Sequence, residues 1–165
     1  MRAGGFSPAR TEIKSANAVI LFWVGPYRMG IPAAALKEIR NHWRPASEGD
    51  LGHPPEGLGC DAILSAGALF GVAAEAGGRL LVLRSRNVGI RVDQVERMIE
   101  IGKLHPLPRA FQGAERSWYS GITLAGDLII PLLNPETLAS EAISQAVQRR
   151  AAERGTSATT EKEAS

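Results

Sequence analysis

The side chains best suited to metal binding or nucleophilic chemistry are three histidines, His42, His53 and His105, and the single cysteine, Cys60. Their spacing fits neither role. Zinc normally takes four ligands at recognisable intervals, and only His53, Cys60 and Asp61 lie close enough along the chain to share a loop site. A reactive thiol needs an adjacent base and a lowered pKa, and nothing around Cys60 supplies them. Gly57-Leu-Gly59-Cys-Asp-Ala62 matches a loose dinucleotide-binding pattern. That mechanism needs a preceding strand to deliver a pyrophosphate to a helix N-terminus, and His53-Pro-Pro-Glu56 stands there instead. No serine occupies a nucleophile-elbow context. Asp93, Glu96 and Glu100 read as a solvated strand or turn face rather than a paired-carboxylate site. Arg79, Arg84, Arg86 and Arg91 bracket one hairpin, a basic face that would suit RNA or an acidic protein. Without interleaved aromatics the nucleic-acid alternative, a small basic β-barrel using Arg84, Arg86 and Arg91, is the weaker reading. The expectation is a binding protein, not an enzyme, with no catalytic residue, no cofactor and no metal.

Composition supports that expectation. With 165 residues the chain can form one well-packed domain or two small fused ones. Aromatic residues make up 5% of the chain, so Leu, Ile, Val and Ala must carry most of the core. A net charge of +2 is too small to mark a dedicated nucleic-acid surface. One cysteine excludes an intrachain disulfide, and a reducing cytoplasm is the simplest compartment. Residues 1–17 are polar, lack the apolar core of a signal peptide and read as a disordered lead-in. Ala18–Val24, the longest early apolar run, falls far short of the roughly 20 residues a membrane helix needs.

The elements follow from punctuation and periodicity. Ala18–Val24 is β-branched and aromatic and stops at Gly25-Pro26, a strand and turn, with Tyr27–Ile31 returning as its partner. Pro32 opens one helical turn through Ala33–Leu36. Residues 44–60 carry three prolines and four glycines without periodicity, a connection unusually long for a compact domain. Asp61–Gly71 reads as a short strand and a helical turn. Arg79–Ile101 gives a strand, a polar turn, a second strand through Val88-Gly89-Ile90, a break at Asp93-Gln94 and a third apolar stretch. Trp118–Leu124 and Asp127–Leu133 form a hairpin across Ala125-Gly126. Asn134 caps a helix with Pro135 in its first position. That helix is expected over 135–154, with Gly155 as its stop and 155–165 as a disordered tail.

Two segments repeat. Ile20-Leu-Phe lies over Leu80-Leu-Val, Gly30-Ile31 over Gly89-Ile90 and Glu38-Ile39 over Met98-Ile99, at an offset of about 60 residues. Ala62–Leu69 likewise resembles Leu128–Leu138. Any two hairpins share some of this, but order and spacing agree across four elements and favour a duplicated β module.

The ordered set Val88-Gly-Ile-Arg-Val-Asp-Gln-Val95, Leu107-Pro108, Tyr119-Ser-Gly-Ile-Thr-Leu124 and Gly126-Asp-Leu-Ile-Ile-Pro-Leu-Leu133, followed by the Leu138 helix, resembles the CheW-like domain of bacterial chemotaxis. The resemblance covers roughly 19–138 and is strongest from Leu80 onward. It implies a mostly β fold of two interleaved, pseudo-repeated, five-stranded SH3-like barrels with a C-terminal α-helix, occupying 18–140 with the 44–60 loop inside it. It also implies a cytoplasmic adaptor without cofactor, recruited to membrane-associated receptor arrays. Its partners would be the signalling tip of a methyl-accepting chemoreceptor, the regulatory domain of a histidine kinase, or both, with no membrane insertion of its own. The position of Glu38 belongs to the receptor-facing groove in that family, and Leu36, Ile39, Val88, Val92 and Val95 are the candidates for its walls. The family's Gly-hydrophobic-x-Asn-Leu-Arg-Gly strand pair is missing here, replaced by residues 44–60. That substitution predicts a shortened first barrel and an adaptor that engages one partner or both.

Overall fold

Two β-sheets and a long C-terminal helix make up the structure, a computed structural model describing residues 17–41, 54, 58–73 and 78–163. Most of the expected 1–17 lead-in, His42, His53, nearly all of the 44–60 loop and the last two residues of the tail lie outside the described residues. The elements in order are β1 (Ala18–Val24), β2 (Tyr27–Pro32), a 3-10 turn (Ala33–Ala35), β3 (Leu36–Arg40), β4 (Ala62–Ser65) and α1 (Ala66–Phe70). They continue with β5 (Arg79–Leu83), β6 (Val88–Val92), β7 (Gln94–Glu100), a 3-10 turn (Ala114–Trp118), β8 (Tyr119–Ala125), β9 (Leu128–Leu133) and α2 (Pro135–Glu163). The expected strands of both hairpins and the capped helical pieces are all present.

One sheet has five strands in the order β7-β1-β2-β9-β8; the other has four, in the order β3-β5-β6-β4. The two orders are the same once each strand is replaced by its counterpart in the repeat. In both sheets a third strand pairs with a first, the first with a second, and the second runs parallel to a fourth. Among the described residues only β8 has no counterpart in the other sheet. Each sheet takes strands from both halves of the chain. Arg79–Ile101 therefore does not build one module: β5 and β6 enter the four-stranded sheet, and β7 crosses to pair with β1.

Register corrects the repeat by one residue. Gly30 lies opposite Leu21 and Gly89 opposite Val82, so Leu21 corresponds to Val82, and Ile20 to Leu81 rather than Leu80. A one-residue slip would exchange the two faces of the strand. In this register the rest of the duplication falls into place. Leu36 pairs with Leu83 as Val95 pairs with Phe22, and a bulge follows each pair, leaving out Lys37 in β3 and Glu96 in β7. Ser65 accepts a hydrogen bond from the Ala68 N–H at 3.3 Å to start α1, and Asn134 accepts one from the Glu136 N–H at 3.1 Å to start α2.

The strands carry continuous apolar runs because both faces are covered. Val19 and Leu21 point into the five-stranded barrel with Ile130 and Leu132. Ile63, Leu80 and Val82 fill the four-stranded one, with Leu58 and Cys60 packed against them. The alternate residues, among them Phe22, Ile31, Leu81, Leu83, Ile90 and Leu133, form the largest core, between the two sheets. Leu138, Ala139, Ala142 and Ala146 of α2 complete it, mostly small side chains that bring the helix close along β4.

Two expectations fail. Helix α2 passes through Gly155 and continues to Glu163, so the 155–165 segment is not a free tail over its described length. A glycine inside a helix costs about 1 kcal/mol relative to alanine but ends the helix only where the chain turns left-handed. Here Thr156 Oγ1 instead donates back to the Ala152 carbonyl at 3.0 Å. Asp93 is not solvated: it is buried where the chain crosses between sheets, and its Oδ2 accepts from the Gly25 N–H at 2.5 Å. Its own N–H donates to the Trp23 carbonyl at 3.0 Å, fastening the β1–β2 turn to the crossover.

Candidate functional site

The residues expected to line an inter-barrel groove separate into two sets. Val88 and Val92 are fully buried in the inter-sheet core, Leu36 is nearly so, and Val95 packs half-buried against it. These four lie between the barrels, as the resemblance implies, but they are core and present no wall to a partner. Glu38 and Ile39 are exposed on β3, where the Glu38 carboxylate accepts from Arg40 Nε at 2.5 Å. Arg91 is buried as well, which removes it from the basic face drawn with Arg84 and Arg86. Arg84 turns toward β3, its Nε donating to the Ala34 carbonyl at 3.1 Å, while Arg86 turns toward α2. The three arginines thus do not form one phosphate-binding surface.

Sequence reasoning missed the surface where the inter-sheet core runs out. On β9, residues 129, 131 and 133 share a face, and Leu133 is wholly buried in the inter-sheet core while Ile129 is 65% exposed. Leu124 of β8 is its direct cross-strand partner and is 53% exposed. Counting back three residues from the parallel pair Gly30–Leu132 brings Tyr27 of β2 level with Ile129, and it too is 53% exposed. Tyr27, Ile129 and Leu124 therefore form an apolar row across three adjacent strands, continuing the face that elsewhere seals the two barrels together. Large aliphatic and aromatic groups gathered on one exposed sheet face mark a protein-binding surface. The row was hidden in the sequence because Leu128–Leu133 is uniformly apolar, and nothing local distinguishes Ile129 from its buried neighbours.

Below Tyr27, the guanidinium of Arg28 makes a two-pronged ion pair with Glu96, the bulge residue of β7, with Nε donating to Oε2 at 2.8 Å. Arg28 also stacks over the Trp23 ring, 5.7 Å from its centroid. The hydrogen bond from Arg28 holds the Glu96 carboxyl below its ordinary value of 4.5. A carboxylate whose folded pKa is lowered stabilises the fold above its unfolded pKa and loses that contribution as pH falls through the folded value. Wild type is therefore expected to exceed Glu96→Gln in urea midpoint at neutral pH, and the two curves should converge as pH drops below about 4.5. The pair is exposed, so added salt should narrow the gap.

Cys60 is half-buried against Gly89, and burial pushes its thiol pKa up, away from the thiolate a nucleophile requires. Among the described residues no group of three or more His, Cys, Asp or Glu side chains is placed to hold a metal ion. Among them, too, no helix is long and apolar enough to cross a membrane.

No family model matches the chain, and no curated protein matches it. Among solved structures it is similar to the scaffolding protein TtCheW from Thermoanaerobacter tengcongensis, with a TM-score of 0.56 and 15% sequence identity over 72% of this chain and 89% of that one. At that identity the likeness is one of fold. The chain has the CheW-like fold of two SH3-like barrels, the architecture expected from its ordered motifs.

Proposed function

We propose that this protein is a non-enzymatic adaptor of bacterial chemosensory signalling. It acts in the cytoplasm, at membrane-associated receptor arrays, and couples through protein–protein contacts alone. Its partners are the signalling tip of a chemoreceptor, the regulatory domain of a histidine kinase, or both. The observation that carries the reading is the exposed apolar row of Tyr27, Ile129 and Leu124 in a fold shared with a scaffolding protein. An apolar centre with an aromatic and a polar rim is how a protein surface holds another protein without chemistry. Glu38 and Ile39 on β3 provide a second exposed contact, on the other barrel.

Size-exclusion chromatography of the full chain with a receptor signalling tip and with a kinase regulatory domain tests this directly. Co-elution with at least one of them is expected, and Ile129→Glu should abolish it while leaving the circular dichroism spectrum unchanged. Co-elution with neither partner would overturn the adaptor reading.

A further inference from the structure

A cleft of about 450 Å3 opens between the start of β4 and α2, away from the apolar row. Its floor is Ala62, Ile143 and Ala146, and Val147, 58% exposed, forms one lip. Two guanidiniums, Arg86 and Arg150, stand over this floor against one carboxylate, Asp61. Arg86 and Asn87 occupy the β5–β6 turn with φ of 58° and 52°, the left-handed region that an arginine seldom adopts. The turn is clamped to the helix, with Arg86 Nη1 donating to Ser140 Oγ at 3.1 Å and Ser85 Oγ donating to Glu136 Oε2 at 3.3 Å. That cation is fixed in place before any ligand arrives. Along α2 the lip continues at helical spacing through Ile143, Val147, Arg150 and Arg154, and residues 150–156 are all exposed.

We propose that this cleft binds an acidic polypeptide segment. One aliphatic side chain seats on Ala62, Ile143 and Val147, and carboxylates on either side of it pair with Arg86 and Arg150, the next turn reaching Arg154. Guanidinium forks match carboxylates in two-pronged geometry, and an apolar floor rewards a ligand that brings a hydrophobic group with its charges. A nucleic-acid backbone has no aliphatic group for that floor. The cleft shares no residue with the Tyr27–Ile129–Leu124 row, so it stands or falls independently of the adaptor reading.

The test is fluorescence anisotropy of the full chain with a labelled peptide of repeated Leu-Glu-Glu, compared with Leu-Gln-Gln, a single-stranded oligonucleotide and phosphatidylserine vesicles. Saturable binding of the glutamate peptide is expected, weakening as salt rises. Arg150→Gln should weaken it by about tenfold, and Arg86→Asn, which keeps a residue tolerant of the left-handed turn, by a similar factor. Val147→Asp should weaken it while Ala152→Asp, exposed on the opposite face of the helix, should not. Circular dichroism establishes that each variant is folded. No saturable binding of the glutamate peptide, equal binding of the glutamine peptide, or binding indifferent to both arginine substitutions overturns the proposal. So does an oligonucleotide or vesicle signal that is lost with the same arginines while the peptide fails to bind.

Discussion

Phe22→Ala is expected to lower the stability of the fold by about 3–5 kcal/mol, read from the urea midpoint at constant m-value. Phe22 has no exposed surface and sits where the two sheets and α2 meet, among Met29, Ile31, Leu83 and Leu138. Three separately braced elements surround the ring, so the cavity left by its removal has little freedom to collapse, and the cost should fall toward the upper end of the range. A domain of this size has a total stability of about 5–15 kcal/mol, so the variant would retain only a fraction of it. Leu21→Ala, next in sequence but inside the five-stranded barrel, should cost about 2–5 kcal/mol through a different core. A Phe22→Ala variant within about 1 kcal/mol of wild type would show that the two sheets are not joined through this core.

Gly30→Val should be comparably damaging, for the opposite reason. A Cβ at position 30 would stand 2.6 Å from Val19 Cγ1 and 2.7 Å from Leu132 Cδ2, both in the core of the five-stranded barrel. Valine at 19 is stiff at its branch point, so the clash must be relieved by the backbone, at a cost of about 3 kcal/mol or more. Gly89 is its counterpart, where a Cβ would meet Leu80 Cδ1 at 2.8 Å and Cys60 Sγ at 3.3 Å. There one neighbour is the tip of a leucine and the other belongs to the segment preceding β4, outside any strand. Gly89→Val is therefore expected to cost less than Gly30→Val. Equilibrium unfolding of the two variants side by side decides the order, and the reverse order would contradict the correspondence between the two barrels.

Much of this was legible in the sequence because local chemistry is strong at these positions. Gly25-Pro26, Gly71 and Asn134-Pro135 each announce where an element starts or stops, and the structure follows them. The repeat was visible because Gly30-Ile31 and Gly89-Ile90 answer the same need in both barrels, room on one face and a large aliphatic on the other. Which strands share a sheet was not legible. β7 follows β6 after a single residue yet pairs with β1, and the choice rests on contacts 71 to 82 positions apart, for which no local signal exists. The burial of Val88 and Val92 was not legible for a related reason. Val88 and Val92 lie in a strand covered on both faces, and a sequence cannot separate an apolar side chain that awaits a partner from one already buried.

The exchange of strands between halves has a consequence in time. β2 finds its parallel neighbour only at Leu132, β3 finds an antiparallel partner in β5 and β4 a parallel one in β6, so neither barrel can be finished from the first half of the chain. On the ribosome the four-stranded sheet has all its strands once synthesis passes Val92, while β2 waits for its neighbour β9 until synthesis passes Leu133. A chain arranged this way completes its five-stranded barrel last, after the strands of the other sheet are already made.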